Sequence, residues 1–254
     1  MQAIDLNADL GEGCGDDAAM LDIVSSANIA CGGHAGDKET MIRTARLALK
    51  RGVAIGAHPG FPDKENFGRK RLDVSMDEIH DLVVSQVRTF AAHAHSVGAS
   101  LTYLKLHGAL ANWAAQDEGV ADTVVAALDA LSPMPMAVLA ISGSALEQVA
   151  RDAGRRTFSE IFADRGYVPD GQLVPRGSPE AVIERPDEAR ARLEHFFDTG
   201  EMPTAGGGYV RLSAHSICVH GDSENAIEMA RAIRRLLEAR NIAITPFAPL
   251  QANV

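Results

Sequence analysis

Apolar runs the length of a buried strand alternate with amphipathic helical patterns from one end of this chain to the other. That alternation restricts the fold to a mostly parallel sheet covered by helices. Strand signals cover residues 3–8, 27–30, 53–57, 101–106, 136–140, 157–162, 213–219 and 243–246. Helical patterns lie near 17–25 and over 38–51, 76–97, 118–131, 144–153, 186–198 and 224–240. Ser75 with Glu78 three residues on reads as an N-cap pair, and Gly52 and Gly98 as helix stops. No linker or change of composition divides the 254 residues. One α/β domain over 1–254, an irregular closed β/α barrel, is therefore expected over an open sheet or two domains. Residues 167–183, with Pro169, Pro175 and Pro179, are expected to form a long ordered loop or lid.

Four histidines fall where apolar runs break. They sit in Cys31-Gly32-Gly33-His34, in Ile55-Gly56-Ala57-His58-Pro59, in Leu104-Lys105-Leu106-His107-Gly108 and in Ile217-Cys218-Val219-His220-Gly221. The mouth of an α/β fold, where strands end and loops begin, is where active sites are built. Near the N-terminus, period-two alternation puts Asp5, Asn7 and Asp9 on one face and Leu6, Ala8 and Leu10 on the other. A polar column inside a barrel is costly unless it forms a satisfied network or serves a site. Asp9 and Glu12 are thus candidates for a general base or a metal ligand, against the plainer reading of an acidic loop in which Asp16 and Asp17 cap the next helix. Lys105 and His107 alternate with Leu104 and Leu106, so both point to one side of a strand, where an inward lysine is expensive without a task.

Further candidates surround these. Asn28 precedes His34, whose small neighbours allow close approach of a ligand, while Asp37 reads as a helix cap. Asp63 follows His58, and Arg69-Lys70-Arg71 offers cations for a carboxylate or phosphate, Lys70 and Arg71 reading equally well as a solvated loop. Asn112 follows His107 closely enough to line the same mouth. Glu160, Asp164 and Arg165 mark another strand end, with an Asp164–Arg165 salt bridge as the structural explanation for two of them. Asp222 follows His220 and is placed either at the site or as a cap. Cys31 and Cys218 read as packing residues, neither having an evident thiolate-stabilising cation beside it.

A net charge of −10 argues against nucleic acid and anionic membranes as partners. The start MQAIDLNADLGEG is acidic, without the apolar core of a secretion signal, and no apolar stretch approaches the roughly 20 residues of a membrane span. With three cysteines and no CxxC pair, a soluble cytoplasmic protein is expected. Gly11-Glu12-Gly13-Cys14-Gly15 is not a dinucleotide fingerprint, because its third glycine comes one position early and its acids would repel a pyrophosphate. No P-loop motif occurs.

The ordered motifs DLNADLGEG, ANIACGGHAGD, GAHPGFPD, FGR, LKLHGAL, FADRGY, LVPRG and SICVHGD, spanning Asp5 to Asp222, resemble those of the LamB/YcsF family, which supplies the A subunit of bacterial ATP-dependent 5-oxoprolinases. Ala111 in HGALANW departs from the aromatic residue commoner there. The resemblance implies a TIM-like β/α barrel of the glycoside hydrolase/deacetylase type. It implies cleavage of 5-oxo-L-proline to L-glutamate with hydrolysis of ATP, taken up with Mg²⁺, and it implies partner subunits B and C. On that chemistry the catalytic candidates are Asp9, Glu12, His34, His58, Lys105, His107, Glu160 and His220. Asn7, Asn28, Asp63, Arg69, Arg165 and Asp222 are the candidates for binding substrate or phosphate. Two other classes remain open: a metal-dependent amidohydrolase or deacetylase in which Asp9, His34 and His58 hold a divalent ion, and a non-catalytic binding or regulatory barrel.

Overall fold

A computed structural model describes residues 2–221 and 225–248. Its strands are β1 (Ala3–Leu10), β2 (Ser26–Ala30), β3 (Ala54–His58), β4 (Tyr103–Leu104), β5 (Ala137–Ile141), β6 (Thr157–Phe162), β7 (Glu201–Pro203), β8 (Tyr209–Arg211), β9 (Ser216–Val219) and β10 (Ala243–Ile244). Its helices are α1 (Asp17–Leu21), α2 (Lys38–Arg51), α3 (Met76–His95), α4 (Gly108–Gln116), α5 (Glu118–Ala130), α6 (Ala145–Asp152), α7 (Pro186–Thr199) and α8 (Ala226–Ala239).

Strands β1 to β6 pair in sequence order, and β9 pairs with both β6 and β1, so the described residues close a seven-stranded barrel, all of it parallel. This is the closed β/α barrel expected from the alternation, TIM-like as the resemblance implies and one strand short of eight. β10 adds outside the ring through Ala3↔Ala243 and Ile4↔Ile244, and β7 and β8 form a separate antiparallel hairpin. Closure removes the exposed edges an open sheet would carry.

The helices form where capping and amphipathicity agree. Asp37 and Thr40 make a capping box at the start of α2, whose buried face is Met41, Thr44, Ala45 and Ala48 and which stops at left-handed Gly52. Ser75 and Glu78 cap α3 in the same way, and that helix buries Ile79, Val83, Val87 and Phe90. Leu6, Ala8 and Leu10 of β1 join these side chains in the core between barrel and helices. No described helix is long and apolar enough to cross a membrane.

One local expectation changes, two elements lack a sequence signal, and the expected loop forms. The apolar run 101–106 supplies only two strand residues, although the amides of Lys105 and His107 continue the ladder to the carbonyls of Ala57 and Pro59 at 3.0 and 2.9 Å. Helix α4 and the β7–β8 hairpin carry no clear sequence signal; α4 begins on Gly108, at φ 57°, with no side-chain cap. The expected loop at 167–183 packs down on the rim, with isolated bridges Tyr167↔Leu173 and Arg165↔Val182 and with Val174, Ala181 and Ile183 buried.

Candidate active site

The inward column of β1 founds a buried polar network. Asp5 accepts from the hydroxyls of Ser25 and Ser26 at 2.7 and 2.6 Å and also from Ser216. Burial still pushes its carboxyl up to about 6. One layer above, Asn7 donates to Glu160 Oε1 at 2.9 Å and to Ser216 Oγ at 2.7 Å, and Asn28 donates to Asn7 Oδ1 and Asp9 Oδ1 at 2.6 and 2.8 Å. The Tyr103 phenol completes the layer by donating to Asn28 Oδ1 at 2.7 Å. Gly56 on the next strand admits that ring: a Cβ there would lie 2.1 Å from Tyr103 Cε2.

Lys105 stands on this floor. Its ammonium lies 2.9 Å from Asp9 Oδ1, 3.0 Å from Glu160 Oε1 and 3.0 Å from Cys218 Sγ. Burial alone would discharge it, but Asp9, Cys218 and Glu160 outweigh burial and hold its pKa well above the ordinary value. Burial likewise raises Asp9, and there His58 and Lys105 prevail and hold it well below the carboxylate range. Glu160 goes the other way, raised by burial that Lys105 only partly offsets. The absence of a cation near Cys218 expected from sequence is corrected, for Lys105 touches it; burial nevertheless keeps the thiol protonated, well above its usual pKa.

Three of the strand-end histidines gather beside Asp9. His58 Nε2 is 3.3 Å from Asp9 Oδ2 and 3.0 Å from His107 Nδ1. The His34 ring stacks on that of His107, centroids 3.6 Å apart, and its Nε2 faces Glu12 Oε1 at 3.1 Å. Glu12 also lies 3.5 Å from His107 Nδ1. Burial, reinforced by His58, depresses His34 to about 2, and burial with His34 and His58 depresses His107 well below the imidazole range.

The fourth, His220, is oriented by Asp164, which accepts from its ring Nδ1 at 2.9 Å and from its backbone N–H at 3.0 Å; its Nε2 points towards Asp9 Oδ2 at 3.9 Å. Although burial opposes it, His220 holds Asp164 below its ordinary pKa. The expected Asp164–Arg165 pair is thereby corrected. Arg165 instead donates to the carbonyls of Ala181 and Val174 at 2.8 and 2.7 Å, clasping both arms of the rim loop.

These groups surround a cavity of about 230 Å³. Asp9, His58, Lys105, His107, Glu160 and His220 line it, together with Arg69, Arg165, Arg176 and Asn112. Burial and the neighbouring Arg176 pull Arg165 down to about 10. A cation–carboxylate cluster with guanidinium groups around the same cavity suits a small polar substrate bearing negative charge.

Not every expected residue reaches the cavity. Asn7 and Asn28 are wholly buried beneath it with their amides committed to Glu160, Ser216, Asn7 and Asp9, so they position the carboxylates. Asp63 closes a surface turn by accepting from the Asn66 backbone and side chain. Glu12 and His34 back the His58–His107 pair, and Asp222 lies outside the described residues. Arg71 stacks on Trp113 at 3.6 Å. Arg176, Tyr103 and Ser216 are not among the candidates named from sequence, although Arg176 lies in the LVPRG motif and Ser216 in SICVHGD. The alternation of Ser216 and Cys218 on β9 is a usable signal for Ser216, whereas Arg176 comes from an irregular loop with no period to read.

Residues 4–252 match the model of the LamB/YcsF family. The chain is 49% identical to a protein of Azorhizobium caulinodans named as the A subunit of 5-oxoprolinase, over 98% of this chain and 100% of that one. It is 46% identical to a protein of Pseudomonas syringae pv. tomato named as a 5-oxoprolinase A subunit, the one numbered 3, over 98% of each. The crystal structure of a lactam utilization protein from Thermus thermophilus is similar throughout, with a TM-score of 0.87 and 37% identity, covering 96% of this chain and 99% of that one.

Proposed function

The chain belongs to the LamB/YcsF family, and we propose that it is the A subunit of an ATP-dependent 5-oxoprolinase, cleaving 5-oxo-L-proline to L-glutamate with release of ADP and phosphate. The observation that carries this reading is the cavity itself, lined by Lys105 with the carboxylates of Asp9 and Glu160 and by the guanidinium groups of Arg69, Arg165 and Arg176. The guanidinium groups receive the substrate carboxylate and the transferred phosphoryl group; the floor carries out the proton transfers.

A five-membered lactam is a stabilised amide, so its carbonyl needs activation. The lactam oxygen attacks the γ-phosphorus of ATP, taken up as its magnesium complex, and the bond to ADP breaks. Water then adds to the activated carbon while His220 Nε2 accepts its proton, the tautomer being set by Asp164 at Nδ1. Collapse of the tetrahedral species breaks the carbon–nitrogen bond as Glu160, a carboxylate whose proton affinity burial raises, takes up a proton and passes it to the ring nitrogen. The resulting acyl phosphate is hydrolysed by a second water to glutamate and phosphate. Lys105, held charged, stabilises the oxyanions that form.

At about 230 Å³ the cavity is smaller than the roughly 300–1,000 Å³ of sites for drug-sized ligands. It accommodates the lactam, and the nucleotide extends past the rim towards subunits B and C. The enzyme works in the cytoplasm, where the buried thiols of Cys31 and Cys218 stay reduced.

The test is glutamate release from 5-oxoproline with and without ATP, using this chain alone and together with its candidate B and C subunits. ATP-dependent glutamate in the mixture is the expected result. No glutamate from well-folded components under any condition overturns the reading and leaves a metal-dependent amidohydrolase as the alternative.

A further inference from the structure

Glu12, His34, His58 and His107 come from the ends of four successive barrel strands and meet within 4.8 Å of one another, all buried. Their hydrogen bonds leave an imbalance. His58 Nδ1 lies 2.8 Å from the carbonyl oxygen of Lys105, and His107 Nε2 lies 2.9 Å from that of Phe67. A carbonyl only accepts, so each of these nitrogens carries its ring's proton. With both rings neutral the opposite nitrogens, His58 Nε2 and His107 Nδ1, are bare, and they face each other at 3.0 Å, with Asp9 Oδ2 3.3 Å from His58 Nε2. Two lone pairs at that distance away from water repel, so a positive charge sits between them, either a proton that makes His58 an imidazolium beside Asp9 or a metal ion.

Separations within the cluster suit a metal ion in that place once the stacked His34 and His107 rings, 3.6 Å apart, tilt towards it. The ring–ring separation of 3.0 Å, the His34–Glu12 separation of 3.1 Å and the Glu12–His107 separation of 3.5 Å bracket the edge of about 3.3 Å that a tetrahedron of zinc–ligand bonds of about 2.0–2.1 Å would have. Donation of the far ring nitrogen to a backbone carbonyl is the usual outer support of a ligating histidine. His34 Nδ1 is buried with no partner among the described residues. The cage walls are tight: a Cβ on Gly60 would stand 2.8 Å from His34 Nδ1, and one on Gly68 2.6 Å from His34 Cβ. The other cluster of suitable donors, Asp9 with Cys218 and His220, already holds the Lys105 ammonium, 2.9 Å from Asp9 and 3.0 Å from Cys218.

We propose that Glu12, His34, His58 and His107 bind one divalent transition-metal ion, of which zinc best suits three imidazoles and a carboxylate. The ion fixes the His58–His107 wall of the cavity. This differs from the ligand set expected from sequence: Glu12 and His107 join His34 and His58, and Asp9 stays with Lys105. It stands whatever the substrate is.

The test uses the full chain, stripped with chelator and carrying no histidine tag, titrated with zinc in a calorimeter and with cobalt followed by visible absorption. One zinc per chain, tetrahedral cobalt bands and a melting temperature that rises with zinc are expected. His58→Asn and His107→Asn should each weaken binding by more than the 10–100-fold typical of losing only an outer partner, while His220→Asn retains it. Glu12→Gln, close to isosteric, provides the same reading should a histidine variant fail to fold by circular dichroism. No binding by the folded chain, binding that survives these substitutions, or binding lost in His220→Asn overturns the proposal.

Discussion

Lys105 Nζ lies 2.9 Å from Asp9 Oδ1 inside the barrel, and both side chains are shut away from water. With Glu160 Oε1 at 3.0 Å on its other side, the ammonium is the shared counter-charge of two buried carboxylates. Removing one member of such a group leaves uncompensated charge and costs about 3–5 kcal/mol. Lys105→Met is therefore expected to lower stability by that amount in urea titrations and to abolish glutamate formation. Adding Glu160→Gln to Lys105→Met should recover part of the stability but none of the activity. A Lys105→Met protein as stable as the parent would contradict this account.

Asp164 and His220 make a second separable prediction. Asp164 accepts from His220 Nδ1 at 2.9 Å and thereby leaves Nε2 unprotonated towards Asp9 and the cavity. An asparagine would fit the same space and present an amide that favours the wrong tautomer. Asp164→Asn is expected to reduce kcat by about 10²- to 10⁴-fold with KM changed little. Steady-state kinetics of the assembled enzyme decide it; a rise in KM at constant kcat would make Asp164 a binding residue instead.

The inner face of the barrel is legible in the sequence because period two is unambiguous in a strand that ends at a glycine. Asp5, Asn7 and Asp9 alternate with three core residues, and Lys105 with Leu104 and Leu106, so their direction follows from spacing alone. What depends on distant partners is not legible. Lys105 and Cys218 are 113 residues apart and meet only because the barrel closes. Asp164 and Arg165 are adjacent, which suggests a pair, yet neighbours at a strand end point apart: one turns in to His220 and the other back to the loop carbonyls of Val174 and Ala181. Helix α4 is hidden because it starts on a left-handed glycine without a capping side chain.

Asp5 should give the fold a pH dependence of defined sign. Burial raises its carboxyl from 3.8 to about 6, against the opposing hydroxyls of Ser216, Ser25 and Ser26. The native chain therefore keeps a proton that the unfolded chain loses between those values. Stability from this group is complete below pH 3.8 and is lost as pH rises through about 6. Asp5→Asn mimics the protonated form at every pH. Urea titrations of both proteins should show the variant gaining on the parent across that window, by on the order of 3 kcal/mol, and a constant difference above it. A gap that does not change with pH would place the burden of Asp5 elsewhere.

Gly56 connects packing to the site. Its missing side chain admits Tyr103, whose ring would meet a Cβ at 2.1 Å, and the Tyr103 phenol holds Asn28, which in turn donates to Asp9. The ring is fully buried and cannot swing away. Gly56→Ala is accordingly expected to cost about 1–3 kcal/mol or more through overpacking and to lower activity by moving Asp9 through this chain of contacts. Tyr103→Phe, which removes only the phenol, should cost about 1 kcal/mol. Combining Gly56→Ala with Tyr103→Leu separates the two causes. If overpacking is what Gly56 avoids, the double variant regains stability over Gly56→Ala alone, because the smaller side chain vacates the space. The lost activity stays lost, since nothing then holds Asn28 against Asp9. Independent, additive losses in the double variant would show that the glycine is required for its backbone and not for the ring it admits.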